Sequence, residues 1–451
     1  MATFPLFILL IGMATVIGLI MVLRLHAFFA LITAALVVSL LAPGEMADKI
    51  GRVAAAFGST AGSIGIVIAL AAVIGMCMLE SGAADRIVRW FLTLFGVDRA
   101  DVALMASGFV LSIPVFFDTV FYLLIPLARS MYQQTGRGYA KYIMVIAGSA
   151  IITHSLVPPT PGPLVNAQNL GVDLGTMIMV GLLVSAPAAL VSLLVANWLD
   201  ARLGIPMRGL SEAVQQEPLR DDQLPGLGVS LLPIVLPVIL ITTNTITQAA
   251  APDAPLAQWT AMIGNPNLAM FAAAAVALML YVAKRRPDRV QFTSQVEQSL
   301  MSGGLIILIT SAGGAFGAML QAAEIGPALQ GLLGTTAPSG MALLLTGFFM
   351  ASLLKVAQGS STVSMITTSA MLGAMIVPGT LDFNPVYVAT AIGSGSMVGS
   401  WMNDSGFWIV SKMGVLTEAE TFKTWSAIAG TAGVAALLAT IALATVMPLT
   451  D

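Results

Sequence analysis

Four short stretches set polar or charged side chains among strongly apolar flanks. IPVFFDTVFYLLIPL at 113–127 places Asp118 alone in an apolar run. ITHSLVPPTPGPL at 152–164 carries Thr153, His154, Ser155 and Thr160 with four prolines. KVAQGSSTV at 355–363 carries Lys355, Gln358, Ser360, Ser361 and Thr362. GSGSMVGSWMNDSGFW at 393–408 ends in Asn403, Asp404 and Ser405.

Each stretch suggests chemistry and a plainer structural role. A carboxylate in lipid costs about 2.5–3.5 kcal/mol on insertion scales, so Asp118 should face a cavity or a partner. It can bind a proton or orient a substrate, or it can cap a hairpin tip through backbone N–H groups. His154 has the side chain most easily titrated near neutral pH. It can accept a proton or bond a substrate, or simply hold a helix break. Lys355 suits an organic anion whose carboxylate also meets a half-helix N-terminus, unless it snorkels to the interface. Gln358, Ser360, Ser361, Thr362, Asn403, Asp404, Ser405 and Thr160 offer oxygens and amides to a polyol or a cation. Asn-Asp-Ser-Gly by itself also satisfies a turn.

The elements that hold these residues are membrane helices. The 451 residues are 57% hydrophobic and 9% charged, far below the roughly 25% charged residues of soluble domains. One cysteine, Cys77, excludes an intrachain disulfide and a cysteine-built metal site. Two histidines, His26 and His154, argue against a histidine-built metal centre. The net charge of −3 points to no nucleic-acid partner. Run 4–22 has no basic residue before it and no small-residue cleavage site, so it reads as a span.

Spans of roughly 20 apolar residues are expected at 4–22, 27–42, 61–79, 142–165, 175–199, 229–247, 267–283, 300–321, 387–410 and 426–448. The prolines of 158–163 forbid a continuous helix. Irregular backbone at membrane depth must be buried in protein or line a water-filled cavity. Hence 142–165 reads as a broken helix and half of a binding site, and 387–410 as a second. Stretches 103–128 and 341–371 could each be one span or a re-entrant hairpin. Treated as hairpins, they leave ten spans, with both termini outside and sixteen of the nineteen basic residues inside. Lys49 and Arg52 then lie outside and Lys355 within the membrane. If both stretches cross fully, the better orientation divides the basic residues only 12 to 6.

The polar segment 201–226 reads as a cytoplasmic linker between halves at 1–200 and 227–451. Gly82 and Gly326, and Gly162 and Gly406, are each 244 residues apart, and Gly108 and Gly347 are 239 apart. Three ordered matches suggest a duplication. Five spans per half imply inverted topology, a common plan of secondary transporters. Other features look ordinary: LESGAADRIVRWF as an amphipathic helix, Gly303–Gly304 and Gly313–Gly314 as close-packing positions, and Trp198, Trp259 and Trp425 as interfacial.

The segments IPVFFDTVFYLLIPL, THSLVPPTPGPL, SAGGAFGAMLQAAEIG, KVAQGSSTVSMITT and NDSGFW, followed by TEAETFKTW, resemble the gluconate permease family. The resemblance runs from about Leu79 to Trp425. It implies proton-coupled uptake of gluconate or a related sugar acid across the bacterial inner membrane. It also implies kinship with dimeric transporters that carry two hairpins per protomer and move substrate by an elevator motion. By position, Asp118 matches the acid of the family's FFD segment, His154 the histidine before its VPP, and Asn403, Asp404 and Ser405 its NDSG. The family typically has arginine before VAQG where this chain has Lys355. Lysine keeps the charge and loses the bidentate fork. Members also transport D-serine, glycerate and fructuronate.

The expectation is therefore an all-α polytopic transporter built from an inverted repeat. Lys355, Gln358, Ser360, Ser361, Thr362, Asn403, Asp404, Ser405 and Thr160 would bind a small organic anion, and Asp118 and His154 would couple it to a proton. No metal or other cofactor is expected. A sodium-coupled carboxylate symporter on the same fold remains open, and an intramembrane enzyme using Asp118 and His154 is a remote alternative.

Overall fold

The computed structural model describes residues 3–208, 220–325, 328, 340–376, 381–402 and 404–450, and these form helices and connecting turns without a strand. In chain order the helices are α1 Thr3–Ile17, α2 Ala27–Leu41, α3 Asp48–Glu80, α4 Ala83–Phe95, α5 Ala100–Leu111, α6 Phe117–Thr135, α7 Tyr139–Leu156, α8 Pro161–Asn169, α9 Leu174–Leu203, α10 Leu227–Ala250, α11 Pro255–Ile263, α12 Pro266–Arg285 and α13 Arg289–Ala322. Then follow α14 Gly340–Gln358, α15 Ser361–Gly373, α16 Val386–Gly395, α17 Ser405–Gly414 and α18 Glu418–Val446, the last containing a π turn at Phe422–Ser426.

Eight of these helical stretches are long and apolar enough to cross a membrane. They match seven of the ten expected spans, and the shorter apolar helices at Phe4–Ile20, Ala27–Leu41 and Val386–Gly395 fall on the other three. The eighth is Gly340–Ala357, the first arm of the expected second hairpin. Length alone therefore does not separate that arm from a span.

Four interruptions divide the helices where polar residues cluster. Segment 112–116 separates α5 from α6, and the two helices pack together. Val157, the cis-linked Pro158–Pro159 and Thr160 separate α7 from α8. Gly359 and Ser360 separate α14 from α15. Segment 396–404 separates α16 from α17. Neither 103–128 nor 341–371 is a single continuous helix. Gly359 has φ +85°, a left-handed conformation that other residues rarely adopt, and there the chain leaves α14 and starts α15.

The packing is reciprocal between the two parts of the chain. Helix α5 packs on α7 as α14 packs on α16. The contacts then cross over, with α6 against α17 and α15 against α8. Small residues permit these approaches. A Cβ on Gly108 would lie 2.4 Å from Ser149 Oγ on α7, and one on Gly347 would lie 2.9 Å from Ile392 on α16. A Cβ on Gly162 would overlap Met365 of α15, and one on Gly406 would lie 3.3 Å from Phe117 of α6. Two of the three glycine pairs noted in the sequence thus sit at matching crossings. Gly326, of the third pair, lies outside the described residues.

Charged side chains tie the loops down. Lys49 and Arg52 donate to the carbonyls of Leu40, Ser39 and Pro43, satisfying the end of α2 as cations at a helix C-terminus should. Arg208 grips Glu420 with two bonds of 2.7 Å, so the chain leaving α9 is fastened to the start of α18. Beyond 209–219, Asp221 pairs with Arg89 of α4, and Lys284 of α12 donates to Leu224 O at 2.8 Å. Helix α4 is amphipathic as expected. It buries Ala83, Ala84, Ile87 and Val88, and its half-buried Asp85 carboxyl is pushed above the usual range by desolvation.

A Cβ on Gly395 would lie 2.1 Å from the backbone oxygen of Phe348, whereas one on Gly430 would meet nothing within 4 Å. Gly395→Ala should destabilise the protein by about 1–3 kcal/mol, the usual range for overpacking. Gly430→Ala should be neutral or slightly stabilising. Thermal unfolding in detergent checks both.

Candidate functional site where four helices are interrupted

The interruptions bring helix ends together. Phe116, the residue preceding α6, sets its ring edge-on to His154 in the last turn of α7, with centroids 6.2 Å apart. Ser361, opening α15, donates to Ser396 O at the end of α16 at 2.9 Å. Lys355, in the last turn of α14, pairs with Asp404, the N-cap of α17, at 2.9 Å.

That ion pair is buried, with the side chains 1% and 7% exposed. Two desolvated charges persist only with close geometry and further hydrogen bonds. Lys355 Nζ also donates to Gly359 O at 2.6 Å, and Asp404 Oδ1 accepts from Gly406 N at 3.0 Å. Each partner is therefore held by the helix break next to it. The sequence treats both residues as ligands for a substrate, whereas here each is the other's partner.

Asp118 stands exposed in the first turn of α6 and feels the charge of Asp404. Among the described residues no hydrogen bond ties down its carboxylate. His154 is 8% exposed, lies within reach of the Lys355 charge, and its Nδ1 has no partner among the described residues. It belongs to the last turn of α7 and not to the break itself, which begins at Val157.

The other expected ligands divide. Thr160 is buried, and its hydroxyl is bonded to the carbonyls of His154 and Val157 at 2.9 and 2.7 Å. It braces the break from within, because a backbone that leaves the helix orphans carbonyls that need a donor. Ser360 caps α15 by accepting from Val363 N. Thr362 is half-buried and Ser405 exposed, in the first turns of α15 and α17. Their hydroxyls have no bond among the described residues. Gln358 ends α14, its side chain outside the described set, and Asn403 lies outside the described residues.

Trp425 needs correction. Trp198 and Trp259 are exposed, but Trp425 is 1% exposed. Its ring lies 5.0 Å from that of Phe117 and 3.0 Å from where a Cβ on Gly406 would be. It sits in the π turn of α18 and fills the space over a side-chain-free helix start, wedged where α6 meets α17. Its place near a span end gave the interfacial reading, and nothing local in the sequence marks it as core.

Interrupted helices around a buried ion pair, inside an apolar helical bundle, define a polytopic membrane transporter. A family model for GntP family permeases matches residues 4–447, and the chain belongs to this family. It is 35% identical over 431 residues to a gluconate permease of Pseudomonas aeruginosa, covering 94% of each chain. It is 32% identical to the low-affinity gluconate transporter of Escherichia coli K12, over 92% of this chain and 93% of that protein. It is also 32% identical to the D-serine transporter DsdX of the same organism, over 96% and 97%. Among solved structures, the YdaH transporter of Alcanivorax borkumensis shares the fold at a TM-score of 0.60 and 15% identity, over 94% of this chain and 98% of that one. Membership of a permease family makes the chain a transporter and not an enzyme.

Removing one partner of a buried pair strands the other. Lys355→Met should therefore destabilise the protein by about 3–5 kcal/mol. Lys355→Met combined with Asp404→Leu should recover most of that stability and stay inactive. Unfolding in detergent and uptake in proteoliposomes measure the two effects separately.

Proposed function

We propose that this permease imports gluconate or a closely related small hydroxy acid across the bacterial inner membrane, driven by the proton gradient. The observation that carries the substrate class is Lys355, a buried cation that already binds a carboxylate at the end of an interrupted helix. A substrate carboxylate has the same chemistry as its present partner. Thr362 and Ser405 are placed to meet hydroxyls, with Asn403 and Gln358 as further candidates. Asp118 and His154 line the route of the proton, since one carboxylate is exposed and the other group is a buried imidazole whose Nδ1 has no partner among the described residues. The relatives named for gluconate, and the one named for D-serine, support a small carboxylate bearing polar groups.

The wider architecture belongs to the same reading. The reciprocal contacts and matched glycines support an inverted repeat with halves at 1–200 and 227–451 joined through 201–226. In it, α5–α6 and α14–α15 act as re-entrant hairpins. Both termini would then face the periplasm, the arrangement that the distribution of basic residues favours. The family resemblance adds a homodimer and an elevator motion.

Labelled gluconate supplied to sodium-free proteoliposomes with an imposed inward proton gradient should accumulate above equilibrium, and an uncoupler should abolish the accumulation. Accumulation that instead requires sodium at constant pH would replace the coupling ion. Failure with gluconate, D-serine and related hydroxy acids under both gradients would reject the reading.

A further inference from the structure

We infer that Asp404 is a resident counter-ion that the substrate carboxylate displaces from Lys355, and that the released Asp404 takes up the proton that travels with the substrate. This rests on the proposed function and deepens it, because it assigns a role that site membership alone does not give Asp404.

Both oxygens of Asp404 are engaged. Oδ1 accepts from Gly406 N and Oδ2 lies 2.9 Å from Lys355 Nζ. Asp404 as it stands is therefore poorly placed to receive substrate hydroxyls. Lys355 already gives N–H donors to Asp404 and Gly359 O, so an incoming carboxylate competes with Asp404 for it. The exchange replaces one carboxylate by another on the same ammonium. The pair joins the last turn of α14 to the cap of α17 across two helix breaks, so opening it moves loop backbone and breaks no helix.

The charge balance decides where the proton goes. The titratable or charged groups at this junction are Asp118 on α6, His154 on α7, Lys355 on α14 and Asp404 on α17. Lys412 and Lys423, farther along α17 and α18, are exposed. In the empty site the Lys355–Asp404 pair is neutral as a unit. Binding an anion to Lys355 leaves Asp404 as an unpaired carboxylate, buried and within electrostatic reach of Asp118. A buried unpaired carboxylate neutralises itself rather than remain charged, and a like charge nearby favours the same outcome. Asp118 is the more exposed of the two carboxylates and loses no partner on binding, whereas Asp404 is buried and loses Lys355, so the proton goes to Asp404.

One proton leaves the water on the open side and bonds to a carboxylate oxygen of Asp404. It departs when the substrate leaves and Lys355 pairs with Asp404 again. The empty pair and the loaded site are then both neutral at this locus. A site holding substrate without the proton carries an extra negative charge through an apolar barrier and is disfavoured. Coupling follows from electroneutrality.

Calorimetry on the purified full-length protein tests this, with gluconate titrated in two buffers of different protonation enthalpy. The wild-type protein should take up about one proton per gluconate bound, as linkage requires when binding creates a protonated group. Asp404→Asn should abolish that uptake and tighten binding about tenfold, since no resident carboxylate competes for Lys355. Weaker binding by Asp404→Asn with proton uptake retained would overturn the inference and make Asp404 an ordinary ligand. Asp118→Asn should leave the proton stoichiometry near one, and loss of uptake there would also overturn it. Should Asp404→Asn fail to fold, the wild-type and Asp118→Asn titrations decide. Binding without proton uptake by the wild type rejects the inference alone. No binding of either gluconate or D-serine rejects the proposed function as well.

Discussion

The site depends on one interaction that an apolar bundle cannot leave half made, the pair between Lys355 and Asp404. Neither charge has water to turn to, so each must be met by the other and by a backbone group of the adjacent helix break. That requirement brings the end of α14 to the start of α17.

Helix ends can meet this closely only because the helices around them are stripped of side chains at the crossings. Gly108, Gly162, Gly347 and Gly406 stand at the four contacts that carry α5, α8, α14 and α17 past their neighbours. In lipid there is little hydrophobic gain from helix association, so close backbone approach and van der Waals contact carry the packing. Gly406 also leaves room for large rings, and Trp425 and Phe117 fill it. A transporter needs a junction that is well packed yet can open. Here the bonds across the junction are made at helix ends beside short loops, while the long helices α3, α9 and α13 stay continuous.

Much of this was legible along the chain. Proline density marked a break within 152–164, which the structure narrows to 157–160, and the expected spans coincide with observed helices because apolar length reports membrane crossing directly. Thr160 was expected as a ligand from its type, and the structure sets its hydroxyl against the carbonyls the break exposes. What failed was local in origin. Trp425 looked interfacial because tryptophans near span ends usually are. His154 was placed in the break, yet the helix continues through it to Leu156.

The sequence by itself determined that the chain is a membrane protein, where its helices lie, that 142–165 and 387–410 break and which polar residues lie near those breaks. Those properties depend on composition and on the backbone preferences of neighbouring residues, which a linear chain records. Only the tertiary structure decided that Lys355 and Asp404 hold each other, that Thr160 serves the backbone, and that Trp425 is buried between two helix starts. Partners 49 residues apart in the chain, as Lys355 and Asp404 are, meet through packing that no local pattern encodes. Their pairing is set by which charge is left without water once the bundle has closed.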